Sequence, residues 1–331
     1  MRTAASLSPN PRRRLLLAAA LAAPLAAVAQ AGNWPAKPIT LIVPTAPGGT
    51  TDIAARMLAE PLGKALGQTV VVDNRGGASG GIAAVAVKNA APDGYTLLMQ
   101  YSGYHVITPA VAKTQPQWAM ADLQPVANVL SAPQVVVARA GLPIRSMKEL
   151  VAYAKANPGK LSYASSGNGS LQHVTGAMLE QQAGIEMTHV PYKGTGPALQ
   201  DLLGGQVDVT FGTPPPFMQH IQSGKLHALA ITGAKRVPSL ADVPAASEAG
   251  FPNLDATSWF AVFAPAKTPR PIVDRLAAEI RKVMSTEAFR QKAAEQGARA
   301  DYMDPQQLGA FEKTELARWA KVVKASKIEA D

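Results

Sequence analysis

Short β-branched runs alternate with amphipathic stretches along almost the whole chain, and this alternation limits the available folds more than any other feature. Residues 39–43, 70–72, 96–100, 134–138, 188–190, 207–211, 228–232 and 259–263 read as strands. Residues 52–66, 146–157, 170–183 and 198–204 carry helical periodicity between them. Such alternation predicts an α/β fold with largely parallel sheets and right-handed crossovers. Pro61 falls inside the 52–66 pattern and is expected to kink or restart that helix, because it lacks a backbone donor. Ser146 and Glu149 have the spacing of a capping box, and Asn157-Pro158-Gly159 stops the same helix. Asp93-Gly94 marks a turn delivering a strand. Pro269 and Pro271 open a helix over 272–284 with Ile272, Leu276, Ile280 and Val283 on one face, and 305–327 reads as a last surface helix. Two β-rich segments edged by proline, 125–138 and 251–265, are expected to be crossovers. The chain would then form residues 32–131 plus 256–331 as one lobe and 132–255 as the other.

The first 31 residues read as an export signal. Arg12, Arg13 and Arg14 precede the apolar run 15–28, and Ala29-Gln30-Ala31 offers a small-residue cleavage site. The arginines leave both the general secretory route and the twin-arginine route open. Cleavage near Ala31 would release the mature chain into the periplasm. It would also remove four arginines and no acids, leaving 28 basic against 23 acidic residues, a net charge of +5 rather than +9. These charges are scattered singly, without a polybasic stripe, so no nucleic-acid partner is expected. The chain has no cysteine, which excludes thiol catalysis, iron–sulfur clusters and Cys-based zinc sites.

Several strand-to-helix junctions share one chemistry. In "VPTAPGGTTDIAARMLA", residues 43–59, Gly48, Gly49, Thr50, Thr51 and Asp52 gather where a strand gives way to a helix. Backbone N–H groups and the dipole at a helix start attract anions, while the same Thr and Asp residues also serve as ordinary caps. The stretch lacks the lysine of a phosphate-binding loop. "YASSGNGSLQH", residues 163–173, repeats the pattern with Ser165, Ser166, Gly167, Asn168, Gly169 and Ser170. His173 falls on the first turn there, where the dipole favours its neutral form. "PYKGTGPALQ", residues 191–200, places Gly194, Thr195 and Gly196 before Pro197, which suits the first helical position. "FGTPPPFMQH" presents Gly212 and Thr213 after a further strand. Ligands of open α/β sheets sit at the carboxyl ends of strands, where these junctions fall.

Enzyme motifs fare worse. Gly77-Ala78-Ser79-Gly80-Gly81 matches G-x-S-x-G formally, which makes a secreted serine hydrolase using Ser79 a remote alternative. A loop intervenes between the preceding strand and that serine, however. The five histidines show no zinc-binding spacing, and neither nucleotide fingerprint occurs. No cofactor and no metal are expected.

The blocks "WPAKPITLIVPTAPGGTTDIAARMLAEPLG", "VVVDNRGGASGGIAAVAVKNAAPDGYTLL", "ASSGNGSLQH", "VPYKGTGPALQDLLGGQVDV" and "SEAGFPNLDATSWFAVFAPAKTP" resemble the Bug family, the TctC-type periplasmic receptors of tripartite tricarboxylate transporters. The resemblance implies a two-lobed, type II periplasmic-binding-protein fold that closes on one small ligand. It implies a carboxylate or similar polar solute as ligand, delivery to a membrane permease with two integral subunits, and a monomer. Presentation of the liganded form to a sensor kinase is the alternative use of the same fold. The family's carboxylate contacts, made by backbone donors and ordered waters, map onto Thr45, Ala46, Pro47, Gly48, Gly49, Thr50 and Asp52. The facing loops map onto Ser166, Asn168, Gly169 and Ser170, onto Thr195 and Gly196, and onto Gly212 and Thr213. Many relatives carry an Asp-Asn pair where this chain has Phe211-Gly212-Thr213-Pro214, which implies a smaller, less acidic wall. Tyr101 and Tyr104 in "QYSGYHV" are placed near the cleft, and each offers a flat apolar face with a polar tip. They favour an aromatic carboxylate or dicarboxylate such as terephthalate over a citrate-like acid, with plain packing as their other reading.

Overall fold

The computed structural model describes residues 34–111 and 116–326, so the expected export signal lies outside the described residues. The chain runs through β1 (Ile39–Val43), α1 (Thr50–Leu66), β2 (Val70–Asn74), α2 (Gly81–Lys88) and β3 (Thr96–Tyr101), and then β4 (Leu123–Pro133) leads into β5 (Val135–Arg139). Next come α3 (Met147–Ala156), β6 (Ser162–Ser165), α4 (Leu171–Ala183), β7 (Thr188–Pro191), α5 (Thr195–Leu203), β8 (Val209–Gly212) and β9 (Leu226–Ile231). β10 (Thr257–Pro265), α6 (Arg270–Ser285), α7 (Glu287–Glu295), β11 (Arg299–Met303) and α8 (Pro305–Ser326) complete the order.

Two sheets result, one ordered β11-β4-β10-β3-β1-β2 and the other β7-β6-β8-β5-β9. The chain passes between them at Gln134 and again between β9 and β10. Both sheets are mixed, which corrects the expectation of largely parallel pairing. β1 pairs parallel with β2 and β3, but β10 runs antiparallel to β3 and β4. Likewise β6 pairs parallel with β7 and β8, while β5 runs antiparallel to β8 and β9. The cause is topological. β5 and β10 each enter a sheet from the other lobe, so they start at the edge where β1, β3, β6 and β8 end.

Strand residues divide by the period of the pleat. Val136 and Ala138 of β5 enter one core cluster with Tyr163 and Phe211, while Val135 and Val137 enter another with Ala164 and Ile231. A larger cluster built on Leu41, Leu98, Trp259, Phe263 and Trp319 fills the first lobe, and Leu171 and Val174 of α4 join it from the second. Pro61 does not interrupt α1, which continues to Leu66 and closes on left-handed Gly67. α3 starts at a Ser146 cap whose Oγ accepts from Glu149 N at 3.2 Å. The reciprocal contact of the expected box is displaced by one residue: Glu149 Oε2 accepts from Arg145 N at 2.6 Å. Pro197 is the third helical residue of α5, not the first.

Candidate functional site

α1 starts at Thr50 behind an N-cap, Gly49, that supplies no side-chain cap. Asp52, in the first turn, is buried and its carboxylate turns back onto the loop. Oδ2 accepts from Gly48 N at 3.0 Å, and Oδ1 accepts from Arg56 Nε and Asn74 Nδ2, both at 3.0 Å. Asn74 Nδ2 also donates to the Thr45 carbonyl at 3.1 Å. Asp52 therefore fixes the β1–α1 loop, and its charge is spent on that loop. Gly48 needs its left-handed φ of +85° for the same turn.

The second lobe presents matching junctions. Ser170 caps α4, its Oγ accepting from His173 N at 3.3 Å. Gln172, the second residue of that helix, donates to Thr195 Oγ1 at 2.9 Å. Thr195 is the first residue of α5. Gly212 ends β8, and a Cβ there would lie 2.7 Å from the Phe217 ring and 3.0 Å from Gln172 Nε2, so glycine leaves room for that side chain.

The lobes meet along these loops. Thr50 Oγ1 and Thr213 Oγ1 are 2.6 Å apart, and Ala46 N donates to the Lys193 carbonyl at 3.1 Å. Ser79 Oγ donates to the Asn168 carbonyl at 2.8 Å, Thr108 Oγ1 to the Gly169 carbonyl at 3.3 Å, and the Tyr104 hydroxyl to the Ser166 carbonyl. Gly196 packs so closely on the facing loop that a Cβ would stand 2.1 Å from the Pro47 carbonyl oxygen.

A cavity of about 20 Å³ lies between the lobes, room for about one water. Its first-lobe wall is Thr45, Gly49, Thr50, Thr51, Tyr101 and Phe260, with Ser258 beside them; Gln134, Ser166, Gln172, Thr195 and Thr213 complete it. No ionised side chain belongs to this wall. Yet Thr45 Oγ1, Ser166 Oγ, Gln172 Oε1 and both amide atoms of Gln134 are buried without a partner in the protein. Buried polar groups are nearly always hydrogen-bonded, so a cluster of exceptions on one wall marks where a polar guest belongs. The starts of α1, α4 and α5 all contribute to the wall, and the first N–H groups of a helix have no intrahelical carbonyl.

Magnitudes decide how an anion would be held here. Each helix dipole contributes about 0.3–1 kcal/mol, up to about 2 in partly buried geometry. Stripping water from a carboxylate costs several kcal/mol, so dipoles alone do not suffice. Hydrogen bonds to a charged group, at about 1.5–3 kcal/mol each, supply the larger share. Tyr101 adds a neutral face: burial, then Tyr104, pushes its hydroxyl well above the ordinary value, and its ring stacks on Phe260 with centroids 5.7 Å apart. Burial also pushes the Tyr104 hydroxyl up to about 12.

Thr45, Gly49, Thr50, Tyr101, Ser166, Thr195 and Thr213 thus share one wall, as sequence reasoning grouped them. Asp52 and Ser170 lie behind it in loop-holding and capping roles. Ala46, Pro47, Gly48 and Gly196 form the lobe-to-lobe seam, and Gly212 supports Gln172. Asn168 and Gly169 face the seam through their carbonyls. Thr51, grouped with the same junction in the sequence, joins the wall too, whereas Gln134, Gln172, Ser258 and Phe260 were not among the sequence candidates. Gln172 alone carried a signal, a polar residue just after a helix cap. Ser79 does not have the setting of a nucleophile: its hydroxyl is donated to the Asn168 carbonyl. Among the described residues no group of three or more His, Asp or Glu side chains could hold a metal ion, and no helix is long and apolar enough to cross a membrane.

The family model described as "tripartite tricarboxylate transporter family receptor" matches residues 54–328. Protein BugT of Bordetella pertussis is 39% identical over 301 residues, covering 91% of this chain and 92% of the relative. The solved structure of the periplasmic binding protein BugD superimposes with a TM-score of 0.86 at 36% identity, over 90% of this chain and 100% of that one. A Rhodopseudomonas palustris protein, Rpa4515, solved with adipate, gives a TM-score of 0.87 at 36% identity with the same coverage.

Proposed function

The chain belongs to the tripartite tricarboxylate transporter receptor family and is a Bug-type solute-binding protein rather than an enzyme, and from this we propose that it captures a small organic carboxylate between its lobes in the periplasm. Export with cleavage near Ala31 and delivery to the transporter's membrane permease, by a monomeric receptor, are parts of the same proposal. One observation carries it. Unpartnered buried polar atoms from both lobes line a wall without ionised side chains, where three helices begin. The wall is built for a charged guest that brings its own charge.

One ligand carboxylate would take N–H groups of Gly49 to Thr51, with the Thr45 and Ser166 hydroxyls donating to its remaining lone pairs and a water bridging it to the Gln172 amide oxygen. Gln134, at the crossover, would read the other side of the guest. Entry requires the lobes to part, because the cavity is smaller than any carboxylic acid, and parting breaks the Thr50–Thr213 contact. Tyr101 and Phe260 favour a flat or apolar ligand body over a citrate-like one, so aromatic carboxylates and dicarboxylates such as terephthalate head the expected ligands. The adipate in the Rhodopseudomonas neighbour supports the carboxylate class.

A thermal-shift screen of residues 32–331 tests this, since a ligand that binds only the folded state raises the melting temperature. Aromatic or straight-chain dicarboxylates are expected to raise it more than citrate. A rise with citrate alone would remove the aromatic preference, and no rise with any carboxylate would overturn the proposal.

A further inference from the structure

The two lobes are joined by two crossings of very different length. Gln134 alone separates β4, which ends at Pro133, from β5, which begins at Val135. The second crossing is long: β9 ends at Ile231 and β10 begins at Thr257, with residues 232–256 between them. A long segment leaves its two ends many relative positions, so by itself it would guide the motion of a lobe poorly.

One side chain removes that freedom. Thr232, the first residue of the long segment, and Ala256, the last, meet at Gln134. Thr232 Oγ1 donates to the Ala256 carbonyl at 2.6 Å and accepts from Gln134 N at 2.9 Å, and Thr232 N donates to the Gln134 carbonyl at 2.8 Å. Gln134 N also donates to the Ala256 carbonyl at 3.1 Å. All three residues are buried, where such bonds are stronger than in water. The ladders of the two sheets stop on either side of this node: Thr257 pairs with Pro133 in one, and Ile231 with Val135 in the other. The node fills the gap between the sheets, and the long crossing passes through it as a short one. Gln134 carries the node into the cleft, where both its side-chain amide atoms lack a partner in the protein. Thr232 does not line the cavity; what it holds there is the Gln134 backbone.

We propose that Thr232 is a positioning residue, a clamp that pins both crossings to a single pivot. The node stays intact as the lobes open and close, so Gln134 keeps its place in the cleft while the Thr50 and Thr213 walls part. The bending falls on the strand ends flanking the node, since hinges are a few element-terminal residues that absorb the change in φ and ψ. This rests on the opening and closing that the proposed function requires, and not on which ligand the cleft takes.

Native-state hydrogen exchange on residues 32–331 tests the clamp without a ligand. In the wild type, the Gln134 and Thr232 amides are expected to exchange as slowly as those of β5, through global unfolding alone. Thr232→Val keeps the shape of the side chain, and Gln134 N and the Ala256 carbonyl still have each other, so no backbone group is orphaned. In that variant the Gln134 amide should exchange about tenfold faster than the β5 amides, and Thr232→Ser, which keeps the hydroxyl, should not show the change. Pulsed dipolar spectroscopy reads the pivot itself. The chain has no cysteine of its own, so spin labels at Ile82→Cys and Lys193→Cys, two exposed positions on opposite lobes, report one distance between the lobes. Narrow distances are expected in the wild type and in Thr232→Ser, and a single broad spread in Thr232→Val. A Gln134 amide that exchanges by local opening in the wild type would overturn the clamp, because the node would then break during the motion. Wild-type distances in Thr232→Val would overturn it too. Should that variant not fold, the wild-type exchange decides alone. Neither result bears on carboxylate capture, which stands or falls with the thermal-shift screen.

Discussion

Asp52 and Arg56 form an ion pair in which the two partners differ greatly in weight. The Asp52 side chain is 5% exposed and holds three donors, whereas Arg56 is 56% exposed. Asp52→Ala should therefore cost about 2–3 kcal/mol by urea unfolding, because Gly48 N and Asn74 Nδ2 lose a charged acceptor. Arg56→Ala should cost less than about 1 kcal/mol, as expected for an exposed partner. Reversal of that order would contradict the loop-holding role. His189 makes a pH prediction. Burial, reinforced by the His173 ring stacked 3.9 Å away, lowers its pKa from 6.5 to about 3. The unfolded chain then binds more protons than the folded one between those values, so this contribution is complete above pH 6.5 and lost as pH falls toward 3. The melting temperature of His189→Gln should fall less than that of the wild type between pH 7 and pH 5. Some of these roles were legible in the sequence and others were not. Gly49, Thr50 and Thr195 stand in recognisable strand-to-helix junctions. Gln134 does not: it reaches the cleft only because the chain crosses between sheets at that residue.

At the scale of elements, the starts of α1, α4 and α5 do the positioning, and their caps differ in kind. α4 relies on the Ser170 side chain, so Ser170→Ala should cost about 1 kcal/mol of stability and displace Gln172 from Thr195, weakening ligand binding as well. A full loss of stability without change in affinity would contradict the coupling. α1 has no side-chain cap, which leaves its first N–H groups available to a guest. The periodic helices and apolar strands could be read directly. β11 could not, since Arg299–Met303 is a half-exposed edge strand without an apolar alternation. β6 is four residues long and contains two serines. The mixed sheets escaped sequence reasoning for a different reason: strand direction depends on which lobe a strand arrives from, and no local pattern records that.

At the scale of the molecule, the proposed function requires the lobes to open and close, and on that proposal the seam at Pro47 and Gly196 sets the limit of closure. Gly196→Ala would place a methyl group against the Pro47 carbonyl only when the lobes are together. The variant should keep its unfolding stability near that of the wild type yet lose about a hundredfold in affinity, corresponding to about 3 kcal/mol against the closed state. Small-angle scattering should show it failing to contract when ligand is added; normal contraction would place the limit of closure elsewhere. On the proposed function, the cleft selects a carboxylate through neutral donors at converging helix starts. Calorimetric titration of residues 32–331 with adipate and with its uncharged diamide, in the wild type and in Thr50→Val, tests it most directly. Saturable one-to-one binding of the diacid, none of the diamide, and at least tenfold weaker binding in Thr50→Val are expected. Equal binding of diacid and diamide, or binding unaffected by Thr50→Val, would contradict it.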